Sequence, residues 1–187
     1  MKGKKETGRF YFTYKDLIMK LDLEVLEVVF TNKGNDLRTI AEQKNVMLIF
    51  LRHFGCAFCR EALADFALIK NDLDIRKVKL VFIHMADEQT ADEYLDAFGL
   101  KGEEHISDPD MSLYEYFGLQ KGGFRELYGL KVWMRLVRQK NGSLIQASLG
   151  NVKQMPGIFM LHKGEIVNSF IHKSAADKPD YLDIADC

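Results

Sequence analysis

Two short, largely apolar runs organise the chain: VMLIFL (Val46 to Leu51), which is continuous, and VKLVFIHM (Val78 to Met85). Runs of this length, bounded by polar residues, predict strands buried on both faces, as in a parallel sheet covered by helices. Between them, Phe58, Ala62, Phe66, Ile69 and Leu73 recur every three or four residues, which predicts a helix. A second helix is expected over DEQTADEYLDAFGL and a short one over DLRTIAEQ. The alternation of LDLEVLEVVF predicts a further strand ending at the turn signal NKGN. Thr13 to Asp16 has capping-box spacing ahead of LIMKL, the signature of a short helix. Strand, helix, strand, helix implies a right-handed βαβ crossover.

Beyond this the pattern changes. SDPDMSLYEYFGL predicts a turn and a short helix, and FRELYGLKVWMRLVRQK is amphipathic and basic. GIFMLH and EIVNSFI flank Lys163-Gly164, a two-residue hairpin turn, and a last short helix is expected near Tyr181. The expectation is one α/β domain over residues 1–187 with a mixed central sheet flanked by helices. An N-terminal extension precedes it, and an inserted helical segment precedes the final hairpin.

Composition narrows function mainly by exclusion. At 187 residues, 47% hydrophobic and 28% charged, the chain suits a single globular core. A net charge of −1 supplies no general field toward nucleic acid. No run approaches the ~20 apolar residues of a bilayer span, so no membrane partner is expected. The basic start MKGKKETGRF is not followed by an apolar stretch of secretory length. Three cysteines cannot build a disulfide framework and fit a reducing, cytoplasmic setting.

Chemistry concentrates in LRHFGCAFCREALADF. If the strand ends at Gly55, Cys56 and Cys59 fall in the first helical turn, where unpaired N–H groups and the helix dipole favour a thiolate. Arg52, His53 and Arg60 add positive charge against Glu61 alone. Three-residue spacing puts both thiols on one helix face, within reach of a bridge, as a dithiol couple requires. Two other readings stay open here. The pair could be small buried hydrophobes, or half of a metal site with His53 as third ligand, although a fourth is lacking. No cofactor and no metal are expected. Met155-Pro156, just before the hairpin, is the second feature. His84, at a strand end, reads as backbone-bonded, and His105, His162 and His172 as surface or hairpin residues. The basic helix around Trp133 reads as cover for the sheet edge, and Cys187 as a terminal thiol.

The order of parts resembles the thioredoxin-like fold, and more narrowly the AhpC/TSA redoxins and their peroxiredoxin-like members. LRHFGCAFCREALADF is similar to their active-site segment, SDPDMSLYEYFGL to the segment after their third strand, and MPGIFMLHKGEIV to their proline and hairpin. The resemblance covers roughly Leu23 to Ile171. It implies that Pro156 is cis and faces the cysteines, with the Met155 backbone left to pair with an extended substrate. This chain also departs from the pattern. Peroxiredoxins carry Thr or Ser at the position of Cys56, with their peroxidatic cysteine on Cys59, and an arginine near Met155. Thioredoxins carry a buried acid where Phe50 stands.

A thiol-disulfide oxidoreductase serving redox homeostasis is therefore the first expectation. Cys56 and Cys59 would be catalytic, with Arg52, His53, Met155 and Pro156 positioning substrate or stabilising thiolate. A peroxidase acting through Cys59 is the alternative, and a non-catalytic binding or redox-sensing protein the second. Expected partners are protein or small-molecule disulfides, or peroxides, with an external thiol reductant. A homodimer is compatible with all three readings.

Overall fold

The computed structural model describes residues 23–129, 132, 134 and 151–186. Its centre is the apolar run read above: β1 (Asn45–Phe50) is flanked by β2 (Val78–His84) on one side and β4 (Gly157–His162) on the other. With β3 (Glu104–Ser107) and β5 (Glu165–Ile171) at the edges, the sheet order is β3-β2-β1-β4-β5. β1, β2 and β3 are parallel, whereas β4 runs antiparallel to β1 and to β5. The expected mixed sheet is thus present.

Side chains alternate across β1 as the period of two demands. Met47 and Ile49 pack with Leu63 and Phe66 of α3 (Ala57–Ile75), Leu95 of α4 (Glu88–Ala97) and Tyr181 of α7 (Tyr181–Ala185). Val46, Leu48 and Phe50 pack on the other face. They meet Leu26 of α1 (Leu23–Glu27), Leu37 and Ile40 of α2 (Leu37–Gln43), and Tyr114 of α5 (Ser112–Tyr116). Asp36 and Asp87 cap α2 and α4 through the amides of Thr39 and Thr90, at 2.7 and 2.8 Å. Each such cap contributes about 1 kcal/mol. At the hairpin, Lys163 and Gly164 both have positive φ, +52° and +79°, as a type I′ turn requires.

Several expectations are corrected. Residues 23–27 of LDLEVLEVVF form α1 rather than a strand, with Leu26, and Val29 just beyond the helix, packed on the cluster that holds α2, followed by a bridge from Phe30 to Asp36. β3 carries no apolar run that marks it in sequence, because EHIS holds a glutamate and a histidine that are both buried. Glu104 is buried against Thr31 Oγ1 at 2.7 Å, Asn35 Nδ2 at 3.2 Å and Lys79 Nζ at 3.2 Å, so its charge is matched. His105 is fully buried rather than at the surface. The Thr13 to Asp16 helix and Cys187 lie outside the described residues. So does most of the inserted basic segment, of which α6 (Phe124–Tyr128) is described. No helix among the described residues is long and apolar enough to cross a membrane.

Candidate active site

β1 ends at Phe50, and the loop Leu51 to Gly55 carries the chain from the sheet into α3. Tyr114 anchors this loop from below: its hydroxyl lies 2.5 Å from the Leu51 carbonyl and 3.1 Å from that of Ile83. Asp108 holds Tyr114 in turn, because its carboxylate accepts the amides of Ser112 (3.0 Å) and Leu113 (2.9 Å) at the start of α5. The role of SDPDMSLYEYFGL is therefore to brace the loop, which its sequence did not disclose. Tyr114→Phe removes a bond from the buried Leu51 carbonyl and is expected to destabilise the protein by about 1–2 kcal/mol. Urea unfolding with an unchanged m-value would register it.

Cys56 is the N-cap of α3 and Cys59 its third residue. Both are free thiols and nearly buried, and they are hydrogen-bonded to each other. Their environments differ in sign. The hydrogen bond from Cys59 does most to lower the Cys56 pKa below a free thiol's, outweighing burial. The Arg52 charge and the Cys59 and Phe58 amides add to that lowering. Cys59 is raised by its bond to Cys56, by burial and by the neighbouring anion, and the Arg52 and His53 amides do not offset this. The Arg52 amide donates to Cys59 Sγ at 3.3 Å, and Arg52 Nη1 to Cys56 Sγ at 3.4 Å. The guanidinium also donates through Nη2 to the Val152 carbonyl, tying the loop to the segment that enters β4. Arg52 Nε has no hydrogen-bond partner among the described residues.

His53 contributes differently from the expectation. Burial and the Arg52 charge push its pKa down to about 4, so it is neutral and adds no field at the thiols. Its backbone carbonyl does the positioning, accepting the Cys56 amide at 3.0 Å. Pro156 lies with both cysteines around a narrow cavity of about 30 Å³, whose apolar wall includes Phe58, Phe66, Ile158 and Tyr181. That volume holds only one or two water-sized groups. A Cβ at Gly157, where the chain enters β4, would come within 2.5 Å of Leu119 Cδ2, so a larger residue there would displace that leucine.

The Met155–Pro156 bond is trans, as are all peptide bonds among the described residues, which corrects the cis expectation. The Met155 backbone is also not open to a substrate. Its amide donates to the Gln120 carbonyl at 3.2 Å beside a bridge between Lys121 and Gln154. Its carbonyl accepts from Gln154 Nε2 at 3.2 Å. With both groups paired inside the chain, the local trans preference of the X–Pro bond stands unopposed. The Met155 side chain is buried with Leu127, Val132 and Ala175, behind Phe58, and is not itself part of the cavity wall.

A third group of buried polar residues escaped the sequence reading. His84 Nε2 and His105 Nδ1 lie 2.9 Å apart, and His105 Nε2 lies 3.0 Å from Asp92 Oδ1. Burial, then the neighbouring imidazole, pushes His84 down to about 3, so it is neutral. Phe54 of the site loop lies over His84, with ring centroids 5.4 Å apart. The histidines sit 21 positions apart on separate strands, so no local spacing pairs them. Among the described residues no three His, Cys, Asp or Glu side chains are grouped to share a metal ion.

The model of the AhpC/TSA antioxidant enzyme family matches residues 65–174. The chain is 28% identical over 149 residues to prostamide/prostaglandin F synthase of Xenopus laevis, covering 76% of this chain and 73% of that one. Over 100 residues it is 30% identical to the thioredoxin-like chloroplastic protein AAED1 of Arabidopsis thaliana, 54% of this chain and 37% of the other. Peroxiredoxin Q of Xanthomonas campestris shares the fold, with a TM-score of 0.61 at 17% identity, covering 90% of this chain and 91% of that one.

Proposed function

Because the chain belongs to the AhpC/TSA antioxidant enzyme family, we propose that it is a dithiol reductase in which Cys56 is the nucleophile and Cys59 the resolving thiol. The observation that carries this is geometric: Cys56 caps α3 with Arg52 Nη1 3.4 Å from its Sγ, which favours its thiolate, while Cys59 lies behind it in the first turn, where burial keeps the proton on. A peroxiredoxin-like assignment of the first attack to Cys59 would need the reverse. In the proposed cycle the Cys56 thiolate attacks one sulfur of a disulfide and expels the other as thiolate. Cys59 then gives up its proton and attacks Cys56 Sγ, releasing the second half of the substrate and leaving a Cys56–Cys59 disulfide. An external thiol returns the pair to the dithiol.

The same two electrons can cleave an O–O bond, and the site's shape supports this second reading. The Met155 amide is already bonded, so an extended peptide has no backbone rung to join, and the cavity admits only the reacting end of a small apolar molecule. Relatives named as prostamide/prostaglandin F synthases are consistent with a small-molecule acceptor. Attack on a peroxide would leave Cys56 as sulfenic acid or ester with loss of an alcohol or alkoxide. Cys59 would then close the disulfide, releasing water or the second alcohol.

Incubating Cys59→Ser with one equivalent of an aromatic disulfide is expected to trap a stable mixed disulfide on Cys56, read by intact mass and peptide mapping. Stoichiometric trapping on Cys59 in Cys56→Ser, with none on Cys56, would overturn the assignment.

A further inference from the structure

At the end of the sheet away from the cysteines, a groove of about 540 Å³ opens where β1 and β2 begin. Its lining includes Lys44, Asn45, Lys77, Lys79, His162 and Lys163. The two carboxylates that also border it are engaged elsewhere, Glu42 by Arg38 at 2.8 Å and Asp74 by Lys70 at 3.1 Å. Lys79 is paired with Glu104. Lys44, Lys77 and Lys163 have no acidic partner among the described residues, so three uncompensated ammonium groups share one concave surface.

Backbone conformation adds an independent observation. Lys77 and Lys163 hold φ of +59° and +52°, left-handed values that glycine or asparagine adopts with less strain. Lys77 stands one residue past the C-cap of α3, and Lys163 opens the hairpin turn. Helix dipoles alone do not account for this placement. Lysines complement a C-terminus from the last turn, yet the last turns of α2 and α3 carry no basic residue. Lys44 is itself the C-cap of α2, whereas Lys163 stands in the hairpin turn and ends no helix. The floor beneath them is fixed. The Gly164 amide donates to the Ala41 carbonyl at 3.0 Å, and His162 Nδ1 meets Asn45 Oδ1 at 2.6 Å.

We propose that this groove binds a small polyphosphate anion, of the diphosphate or nucleoside-diphosphate class. The volume is that of a small-molecule site. Ammonium groups act as point charges that suit clustered phosphate oxygens, whereas planar carboxylates are matched best by the arginine fork. The groove contributes no residue to the thiol cavity, so binding here is separate from the proposed dithiol chemistry.

Calorimetric titration of the full chain with pyrophosphate, in low-salt buffer, is expected to give saturable one-to-one binding. In the double variant Lys77→Gly/Lys163→Asn the affinity should fall at least about tenfold, since two charges at the groove are lost. Its melting temperature should hold or rise, because the new residues suit the left-handed backbone. The alkylation rate of Cys56 should not change. No binding up to about 10 mM pyrophosphate, or equal affinity in the variant, would overturn the proposal. A variant that loses binding and also melts lower would assign the lysines to stability and overturn it as well. Citrate binding as tightly as pyrophosphate would overturn the phosphate class.

Discussion

Cys56→Ser is expected to reduce turnover of any disulfide or peroxide substrate by at least about a thousandfold, because a serine hydroxyl is not ionised near neutrality and cannot close a disulfide. The wild-type pH dependence follows from the sign of the Cys56 shift. Its pKa lies below that of a free thiol, so alkylation by iodoacetamide should rise with pH and reach its plateau below the roughly 8.5 midpoint of an unperturbed cysteine. Arg52→Met removes one stabiliser of the anion and should move that midpoint upward. A midpoint moved from about 6 to about 7 would roughly halve the rate at neutral pH, and the wild-type and variant curves would converge in alkali. Arg52→Lys should recover part of the charge without the contact to the Val152 carbonyl, giving an intermediate profile. A Cys56 midpoint at or above that of a free thiol in the wild type would contradict the proposed chemistry.

The largest expected loss of stability is at Phe50. Its ring is buried among Tyr114, Phe117 and Phe159, with centroids 5.1, 5.0 and 5.6 Å away. Truncation to alanine removes a complete aromatic ring from a site whose neighbours are held on α5 and its C-cap and on β4. A cost of about 3–5 kcal/mol follows, which for a chain of this size lowers the melting temperature by roughly 10 °C. Function should suffer below the melting point too. Phe50 is opposite Gly157 in the β1–β4 ladder and immediately precedes the loop that carries Arg52. Thermal denaturation alongside Cys56 alkylation at 25 °C would separate the two effects.

What could be read from the sequence was what short-range chemistry decides. The C-x-x-C pair, the periodic apolar positions of α3 and the Lys163-Gly164 turn each specify a local geometry, and each is found as expected. Pro156 faces the cysteine cavity, again as expected. Its peptide geometry was not legible, because the Met155 amide is bonded far back in the chain, at the Gln120 carbonyl, and its carbonyl is taken by the buried Gln154 side chain. β3 was hidden for a related reason. Glu104 and His105 look like surface residues until Thr31, Lys79, His84 and Asp92 are brought to meet them. In LDLEVLEVVF the alternation and the three-residue spacing coexist, and the decision came from packing on α2. Arg52 and His53 read as equivalent charges in sequence, but both are buried, and burial together with the Arg52 charge leaves the His53 imidazole neutral.

The tie from Arg52 to the Val152 carbonyl spans 100 positions of chain, and this bears on how the protein reaches its native state. Contacts of such sequence separation form late, after local helices and hairpins, because the intervening loop must close first. During synthesis, the cysteines leave the ribosome well before the segment that completes their surroundings. Until β4 docks beside β1, they are ordinary thiols with ordinary reactivity. In refolding experiments, rapid Cys56 alkylation should therefore appear with the slowest phase of the sheet, making the thiol its own reporter of completed assembly.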